Sequence, residues 1–247
     1  RLAGLMENQP PYFNFYLRII RTLLERGVIN REMTVLVVAG GATDREVFRD
    51  LGFTKVTITN LDTGAGPADA APYQWLALDA ENLSCADASY DIVMICAGLH
   101  HCHSPHRALL ECYRVARRCT VVLEARDGFL SRIAVRLGVV DEYEVSAVVG
   151  NQLKSGGVGN TALPNYIYRW TEREVEKTIA SYAPHARTEV VFLHEFAPPL
   201  VNLRARKSLR GLVLMLLAWP ALWVVTKVFP SQCNLIGFRS EEHTSEL

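Results

Sequence analysis

Short apolar runs alternate with segments of helical periodicity along the first half of the chain. The runs are rich in β-branched residues, as is typical of strands that are buried on both faces of a parallel sheet. Strands and helices that alternate at this spacing predict parallel pairing with right-handed crossovers, and hence a doubly wound α/β domain. The predicted parallel strands begin at Thr34, Lys55, Gln74, Tyr90 and Thr120.

Local start and stop signals place helices between these strands. Thr43 and Glu46 match a capping box, and Gly52 predicts the end of that helix. Ser104 followed by Pro105 is a second start signal, and Thr171 with Glu174 is a second capping box. The remaining predicted elements are an amphipathic helix over residues 10–28, a helix over 131–140, and strands over 188–196 and 233–238.

Two segments depart from the alternation. Residues 127–170 follow the fifth strand and contain Gly156, Gly157 and Gly159, so they predict a lid at the sheet edge where open α/β sheets bind ligands. A plain surface connection is the alternative. Residues 209–229 are strongly apolar, but their uncharged stretch is shorter than the roughly 20 residues of a membrane span. We favour a helix packed on the sheet, while contact with a membrane surface stays open.

Composition and charge narrow the class of protein. The chain has 247 residues and no formal net charge, which predicts one domain over residues 1–238 and gives no reason to expect a nucleic-acid partner. Six cysteines without a C-x-x-C pair predict reduced thiols and a cytoplasmic location. Arg1 predicts a truncated reading frame, and residues 239–247 (RSEEHTSEL) resemble a translated sequencing adapter, so we exclude them from the predicted fold.

The turn after the first predicted strand favours a cofactor that contains a nucleoside. Gly40 and Gly41 let the backbone turn tightly before a helix N-terminus, where free N–H groups can contact a ligand. Asp62 ends the second strand, where a carboxylate can accept both hydroxyls of a ribose. Asp79 ends the third strand and can accept from the amine of a base. The alternatives are an ordinary αβ turn and a solvated carboxylate.

Histidine and cysteine residues crowd the turn after the fourth strand. His100, His101, Cys102 and His103 have side chains that zinc prefers. They are nearly consecutive on one turn, however, and cannot all face a single point. We therefore predict no metal site.

Taken together, the motifs resemble those of class I S-adenosylmethionine-dependent methyltransferases. The resemblance covers residues 34–125 and rests on VLVVAGG, NLD, DAENL, SYDIVMICAGLHH, PHRALLECYRVAR and CTVVLEA, in that order. The family's usual glycine motif is E/D-x-G-x-G-x-G, whereas this chain has Val37, Ala39 and Ala42 at positions often filled by the acid and two glycines. The resemblance implies a seven-stranded, mostly parallel, Rossmann-like sheet whose last strand is antiparallel beside the sixth.

The resemblance also implies S-adenosylmethionine as cofactor and a set of residues that bind it. Asp62 would hold the ribose, and Asp79 with Ala80 would meet the adenine. The remaining implied contacts are Ala39, Gly40 and Gly41 along the cofactor, and Cys96, Ala97, Gly98 and Leu99 at the methionine end.

Candidate catalytic residues follow from the position of the expected methyl group. His100 and His101 come after the fourth strand, and imidazole titrates near neutral pH, so they are the first candidates for a general base. We expect at least one of them to be a packing or capping residue instead. Glu124 and Asp127, at the end of the fifth strand, come next.

The acceptor is predicted to be a small molecule or a saccharide held under the lid. Tyr143, Tyr166 and Arg169 are the candidate substrate-binding residues, because they can stack on and hydrogen-bond to a polar ring. A membrane-borne acceptor stays open because of residues 209–229. Two other function classes also stay open: an inactive methyltransferase-like scaffold with an altered glycine motif, and an NAD-binding oxidoreductase, although GGATDR lacks the G-x-G-x-x-G spacing.

Overall fold

A computed structural model describes residues 12–61, 66–198, 203 and 209–243 of the chain. Within these residues the main sheet has seven strands in the order β3-β2-β1-β4-β5-β9-β8. The strands are β1 Val35–Val38, β2 Val56–Thr59, β3 Gln74–Leu76, β4 Tyr90–Cys96, β5 Ala116–Ala125, β8 Arg187–Glu195 and β9 Leu235–His243. β1 to β5 pair in parallel, and β9 is antiparallel to both β5 and β8. The predicted doubly wound, seven-stranded fold is therefore confirmed.

Helices cover both faces of the sheet. They are α1 Phe13–Glu25, α2 Ala42–Asp50, α3 Pro67–Ala70, α4 Pro105–Val115, α5 Phe129–Arg136, α6 Val145–Gly150, α7 Glu172–Tyr182 and α8 Leu209–Val228. Val35 and Val37 pack with α1 and α2 on one face. Leu36 and Val38 pack with α4 and α7 on the other face. This alternation explains why β1 reads as a continuous apolar run, since both of its faces are buried.

The start of α2 differs from the predicted capping box. Gly41, not Thr43, is the N-cap, and its N–H donates to Asp44 Oδ2 at 2.9 Å. Glu46 pairs with Arg45 and Arg49 along the helix surface instead. The box at Thr171 is correct in its first half, because the Thr171 hydroxyl accepts from the Glu174 N–H.

The insertion, residues 127–170, contains α5, α6 and a two-stranded sheet of β6 Tyr143–Glu144 and β7 Asn165–Tyr166. It leaves the main sheet after β5 and returns through an isolated bridge between Arg126 and Trp170. Its two ends therefore lie side by side at the carboxyl end of β5. This edge of the sheet also holds the turns that follow β1 and β4.

Two predictions for the C-terminal part of the chain require correction. We expected residues 209–229 to pack on the sheet, but α8 is mostly exposed and buries only Gly211, Met215 and Thr226. We also excluded residues 239–247 from the fold, whereas β9 continues to His243 and pairs on both sides. The adapter origin of the tail stays a prediction.

Candidate active site

A cavity of about 240 Å³ lies at the carboxyl ends of β1 and β4. Its walls include five of the residues predicted to contact a cofactor, namely Ala39, Asp79, Ala80, Ala97 and Gly98. The insertion closes it from above with Gly156, Gly157 and Gly159, the predicted hinge glycines. The structure therefore brings the turns after β1, β3 and β4 together under the insertion, as expected for a ligand site in an open α/β sheet.

Two alanines at this cavity have an unusual backbone conformation. Ala39 has φ 52° and Ala97 has φ 50°, both in the left-handed region that favours glycine. Gly98 lets the turn after β4 lie close to Ala39, because a Cβ atom at Gly98 would lie 2.9 Å from the Ala39 Cβ. Strained backbone of this kind is often retained at functional sites. The ends of β1 and β4 thus present small residues and bare backbone to the cavity.

The glycine turn after β1 is held from behind by α1. At Gly40 a Cβ atom would lie 2.6 Å from Val37 Cγ1, so only glycine fits there. The Asp44 carboxylate accepts from the Gly41 N–H and, at 2.8 Å, from the Tyr16 hydroxyl. Burial raises the pKa of Asp44 above its usual value. Gly40 and Gly41 therefore shape the turn from behind the cavity wall.

Two predicted cofactor residues remain to be placed, Asp62 and Cys96. Asp62 lies outside the described residues. Cys96 ends β4 next to the cavity, and burial raises the pKa of its thiol well above the usual value. Asn60, which we did not single out, lines the cavity and donates through Nδ2 to the Gly40 carbonyl at 2.9 Å.

His100 is held between two carboxylates. Its Nδ1 lies 2.7 Å from Glu124 Oε2, and its Nε2 lies 3.2 Å from Glu144 Oε2. Glu124 also accepts the Leu99 N–H, so both of its oxygens are bonded. Burial lowers the pKa of His100, but the two carboxylates outweigh it and raise that pKa to about 10.

Ion pairs and hydrogen bonds occupy three of the four candidate bases. His100 is charged near neutral pH and only 8% exposed, so it cannot readily take up a further proton. Glu124 is buried and fully bonded. Asp127, the last candidate, pairs with Arg132 at 2.8 Å. His100 and Glu124 instead form a buried ion pair that fixes the turn after β4.

His101 is the predicted base that reaches the cavity wall. Its Nε2 lies 3.2 Å from Glu144 Oε2, the same oxygen that faces His100. Burial raises the pKa of Glu144, but the hydrogen bonds from the two histidines outweigh it and hold that pKa well below its usual range. The insertion thus supplies the carboxylate that orients His101.

His100, His101 and Glu144 also have the ligand atoms of a metal site. One atom from each residue lies within 4.8 Å of the others. Two of the four clustered residues therefore approach a common point together with Glu144. Because both nitrogens of His100 and Nε2 of His101 already face carboxylate oxygens, we assign the group to an ion-pair network.

The predicted substrate residues lie away from this cavity. Tyr143 and Tyr166 pack edge to face on β6 and β7, and they remain 52% and 49% exposed. Arg169 donates to the Ile167 and Asp141 carbonyls and so holds the insertion together. Tyr166 and Arg169 line a separate, open pocket with Asp127 and Glu174. Their role in binding the acceptor stays a prediction.

Two further residues of the site carried only weak sequence signals. Glu144 precedes α6 without a recognisable motif, so its approach to His101 depends on how the insertion folds. Glu81, within the DAENL motif, accepts the His103 and Ser104 N–H groups at 2.8 and 2.9 Å. This links the turn after β3 to the start of α4.

The comparisons with known proteins agree with this geometry. A family model described as "Methyltransferase domain" matches residues 39–122, from the end of β1 into β5. The YcgJ protein of Bacillus subtilis superimposes with a TM-score of 0.54 and 11% identity, over 94% of this chain and 100% of its own. Magnesium protoporphyrin IX methyltransferase of Synechocystis PCC 6803, with bound SAH, gives a TM-score of 0.55 and 9% identity, over 94% and 84%.

Another structural neighbour carries a different activity in its name. The [4+2]-cyclase SpnF has a TM-score of 0.53 and 15% identity, over 91% of this chain and 80% of its own. No curated protein sequence matches the chain. At these identities the neighbours establish the fold, and the family model covers the segment that carries the motifs. The comparisons therefore show a match to a methyltransferase domain over residues 39–122, and the fold of the structural neighbours over most of the chain.

Proposed function

We propose that this protein transfers a methyl group from S-adenosylmethionine to an oxygen, nitrogen or carbon atom of a small molecule or saccharide. The observation that carries the proposal is the position of His101. This side chain lies on the wall of a cavity that also includes five of the predicted cofactor residues, and a carboxylate orients it. A base at that position is useful wherever the accepting atom must lose a proton.

The residues of the cavity fit the proposed cofactor. Ala39, Ala97 and Gly98 leave the backbone open to close approach by a ligand. The Asp79 carboxylate can accept from an amine, and Ala80 offers an apolar contact to a flat ring. Asp62 keeps its predicted ribose role. When bound, S-adenosylmethionine supplies a methyl group on a sulfonium, which is electrophilic without help from the protein.

His101 would take the proton that the acceptor loses. We assign the Nε2 proton of His101 to the contact with Glu144, which leaves Nδ1 to act as the base. His100 and Glu124 keep the neighbouring turn in place from the buried side. The roles of the two histidines thus differ: His100 positions the turn, whereas His101 would touch the acceptor.

The insertion would exclude water and hold the acceptor. Ala147, Asn151 and Asn160 of the insertion line the same cavity as His101, so the acceptor would enter between the insertion and the turn after β4. The chain has no net charge, which favours an acceptor that is uncharged or carries charges of both signs over nucleic acid. In this arrangement the protein contributes alignment of the two reactants and removal of water.

A transfer assay with tritium-labelled methyl groups tests this function. The full chain is incubated with labelled S-adenosylmethionine and cell extract divided into lipid, small-molecule, protein and nucleic-acid pools. We expect label in the small-molecule pool or on saccharide, and in the lipid pool if the acceptor is membrane-borne. Label confined to protein or nucleic acid would contradict the proposed acceptor class.

Matched variants identify the base in the same assay. His101→Ala should lower kcat/KM by about 10²- to 10⁴-fold without weakening cofactor binding, since the base acts on the acceptor. His103→Ala is the control, because His103 lies on the same turn but its ring faces Gly159 of the insertion. Equal rates for both variants would remove His101 from the mechanism.

A further inference from the structure

The exposed apolar surface of this protein is concentrated in two neighbouring elements. Among the described residues, every exposed large apolar side chain except Leu61 and Tyr182 belongs to the insertion, to α8 or to Phe229. In α8, Leu216 and Leu217 are 69% and 76% exposed, and Trp219 and Trp223 are also exposed. Apolar patches of this extent on a folded domain usually mark an interaction site.

α5 and α8 form one continuous surface. Ala134 of α5 and Met215 and Leu222 of α8 share a small apolar cluster, so the two helices pack on each other. On the outer side of α5, Phe129, Ile133 and the adjacent Leu137 are spaced four residues apart and are all exposed. We call α5, Leu137, α8 and Phe229 the apolar face.

The chain enters and leaves α8 from neighbouring strands of the sheet. By length and composition alone, the helix is long and apolar enough to cross a membrane. Yet it lies between β8 and β9, which are antiparallel neighbours, and Glu195 at the end of β8 pairs with Leu235 at the start of β9. Asn234 links the two ends of the connection that contains α8. Its Oδ1 accepts the Ala197 N–H at 2.8 Å, and its Nδ2 donates to the Ala197 carbonyl at 2.7 Å. This connection favours an α8 that lies along a membrane surface over one that crosses a bilayer.

The charges of the apolar face have a single sign. α8 contains Arg210 and Lys227, and α5 contains Arg136 as well as Arg132, which pairs with Asp127; neither helix has an acidic residue. The whole chain has no net charge, so this bias is local. Exposed tryptophan side chains favour the level of lipid headgroups, and nearby cations favour anionic lipids.

We propose that the apolar face docks on the surface of a membrane that contains anionic phospholipids, with α8 lying in the plane of the interface. An apolar helix in this position enters the headgroup and acyl boundary by roughly 5–10 Å. Docking would also place the insertion, and with it the entrance near His101, close to the lipid surface. This inference goes beyond the proposed function and does not depend on it, because binding to vesicles requires no methyl transfer.

Vesicle flotation with the full chain tests the docking. We expect the protein to float with phosphatidylcholine vesicles that contain phosphatidylglycerol, and more weakly with phosphatidylcholine alone. The double variant Leu216→Asp/Leu217→Asp should lose at least tenfold in binding. Tyr182→Asp, an exposed apolar position outside the apolar face, should bind as the wild type does. Arg210→Gln and Lys227→Gln should each weaken binding to the anionic vesicles about fivefold.

Tryptophan fluorescence gives a second readout that does not depend on charge variants. Trp219 and Trp223 should shift to shorter wavelength on vesicle binding and be quenched by lipids brominated near the headgroup. Trp170 is buried in the domain core and should not respond. The variant Trp219→Phe/Trp223→Phe should lose the shift while it keeps the native circular dichroism spectrum.

The result that would overturn the proposal is a full chain that stays with the soluble fraction for both vesicle types. Sedimentation equilibrium then identifies what happens at the apolar face instead. A dimer that Leu216→Asp/Leu217→Asp dissociates would show that a second copy covers it. A monomer would show that the face stays in water.

Discussion

β1 and α8 are both almost wholly apolar, but the structure uses them in opposite ways. Val35–Val38 lies in the middle of the sheet, where neighbouring strands and helices on both faces bury every side chain. Leu209–Val228 lies outside the sheet, and the described residues leave most of its surface uncovered. An apolar run is therefore buried only where neighbouring strands and helices cover it.

The largest expected effect concerns the buried ion pair between His100 and Glu124. Glu124→Gln leaves the His100 imidazolium without its nearest carboxylate in a site that excludes water, so it should lower the free energy of unfolding by about 3–5 kcal/mol. Glu46→Gln is the control, because it breaks a surface pair and should cost less than about 1 kcal/mol. Urea unfolding measures both. Equal costs would show that the His100–Glu124 pair is not ionic.

The pH dependence of stability should carry the signature of the same pair. The pKa of His100 in the folded protein, about 10, is above its value in an unfolded chain, so the stabilisation is complete below about pH 6.5 and is lost as the pH rises toward 10. The low pKa of Glu144 makes its contribution complete above about pH 4.5 and lost as the pH falls further.

Unfolding of the wild type and of His100→Gln across this range measures the effect. The difference between the two proteins should be about 3 kcal/mol near pH 5.5 and should shrink steadily between pH 7 and 10. A difference that is constant over this range would mean that His100 is neutral in the folded protein.

The sequence predicted the sheet region well because its signals are local. Each strand is a short apolar run, and Ser104 with Pro105 marks the start of α4, as the hydrogen bond from the Arg107 N–H to Ser104 Oγ confirms. The predicted N-cap Thr43 was wrong, because the helix begins after Gly41. Asp44 decides that helix start, because its carboxylate accepts the Gly41 N–H.

The candidate site was harder to predict because it joins distant parts of the chain. His101 and the Asp79–Ala80 turn follow strands, so their convergence is a consequence of parallel pairing. Glu144 reaches His101 only through the fold of the insertion, and Tyr143 and Tyr166 pack edge to face there. Residue type alone could not predict that Glu144 contacts His101 or that the two tyrosines pack on each other.

A smaller effect is expected at the strained turn after β1. Ala39 has a left-handed backbone, so Ala39→Gly should raise the free energy of unfolding by up to about 1 kcal/mol, once the greater freedom of glycine in the unfolded chain is subtracted. Ala42→Gly, at the first position of α2, should instead lower it by up to about 1 kcal/mol. Changes of opposite sign in the two variants would support backbone strain at Ala39, and a loss of stability in Ala39→Gly would contradict it.

The smallest effect concerns the exposed helix. Leu217→Ala should change the free energy of unfolding in water by less than about 0.5 kcal/mol, because its side chain is already solvated. Leu123→Ala, in the buried middle of β5, should cost about 2–5 kcal/mol. Similar costs at both positions would mean that α8 is covered in solution, and the contrast between the two regions would not hold.

Calorimetric titration with S-adenosylmethionine, and separately with NAD, tests the central claim most directly. We expect saturable binding of S-adenosylmethionine at one site per chain and none of NAD. Asp79→Ala should weaken that binding about tenfold, whereas Asp69→Ala, which removes a carboxylate of α3 that does not line the cavity, should leave it unchanged. Binding of NAD alone would make the protein an oxidoreductase, and binding of neither cofactor would make the domain a scaffold; either result would contradict the account.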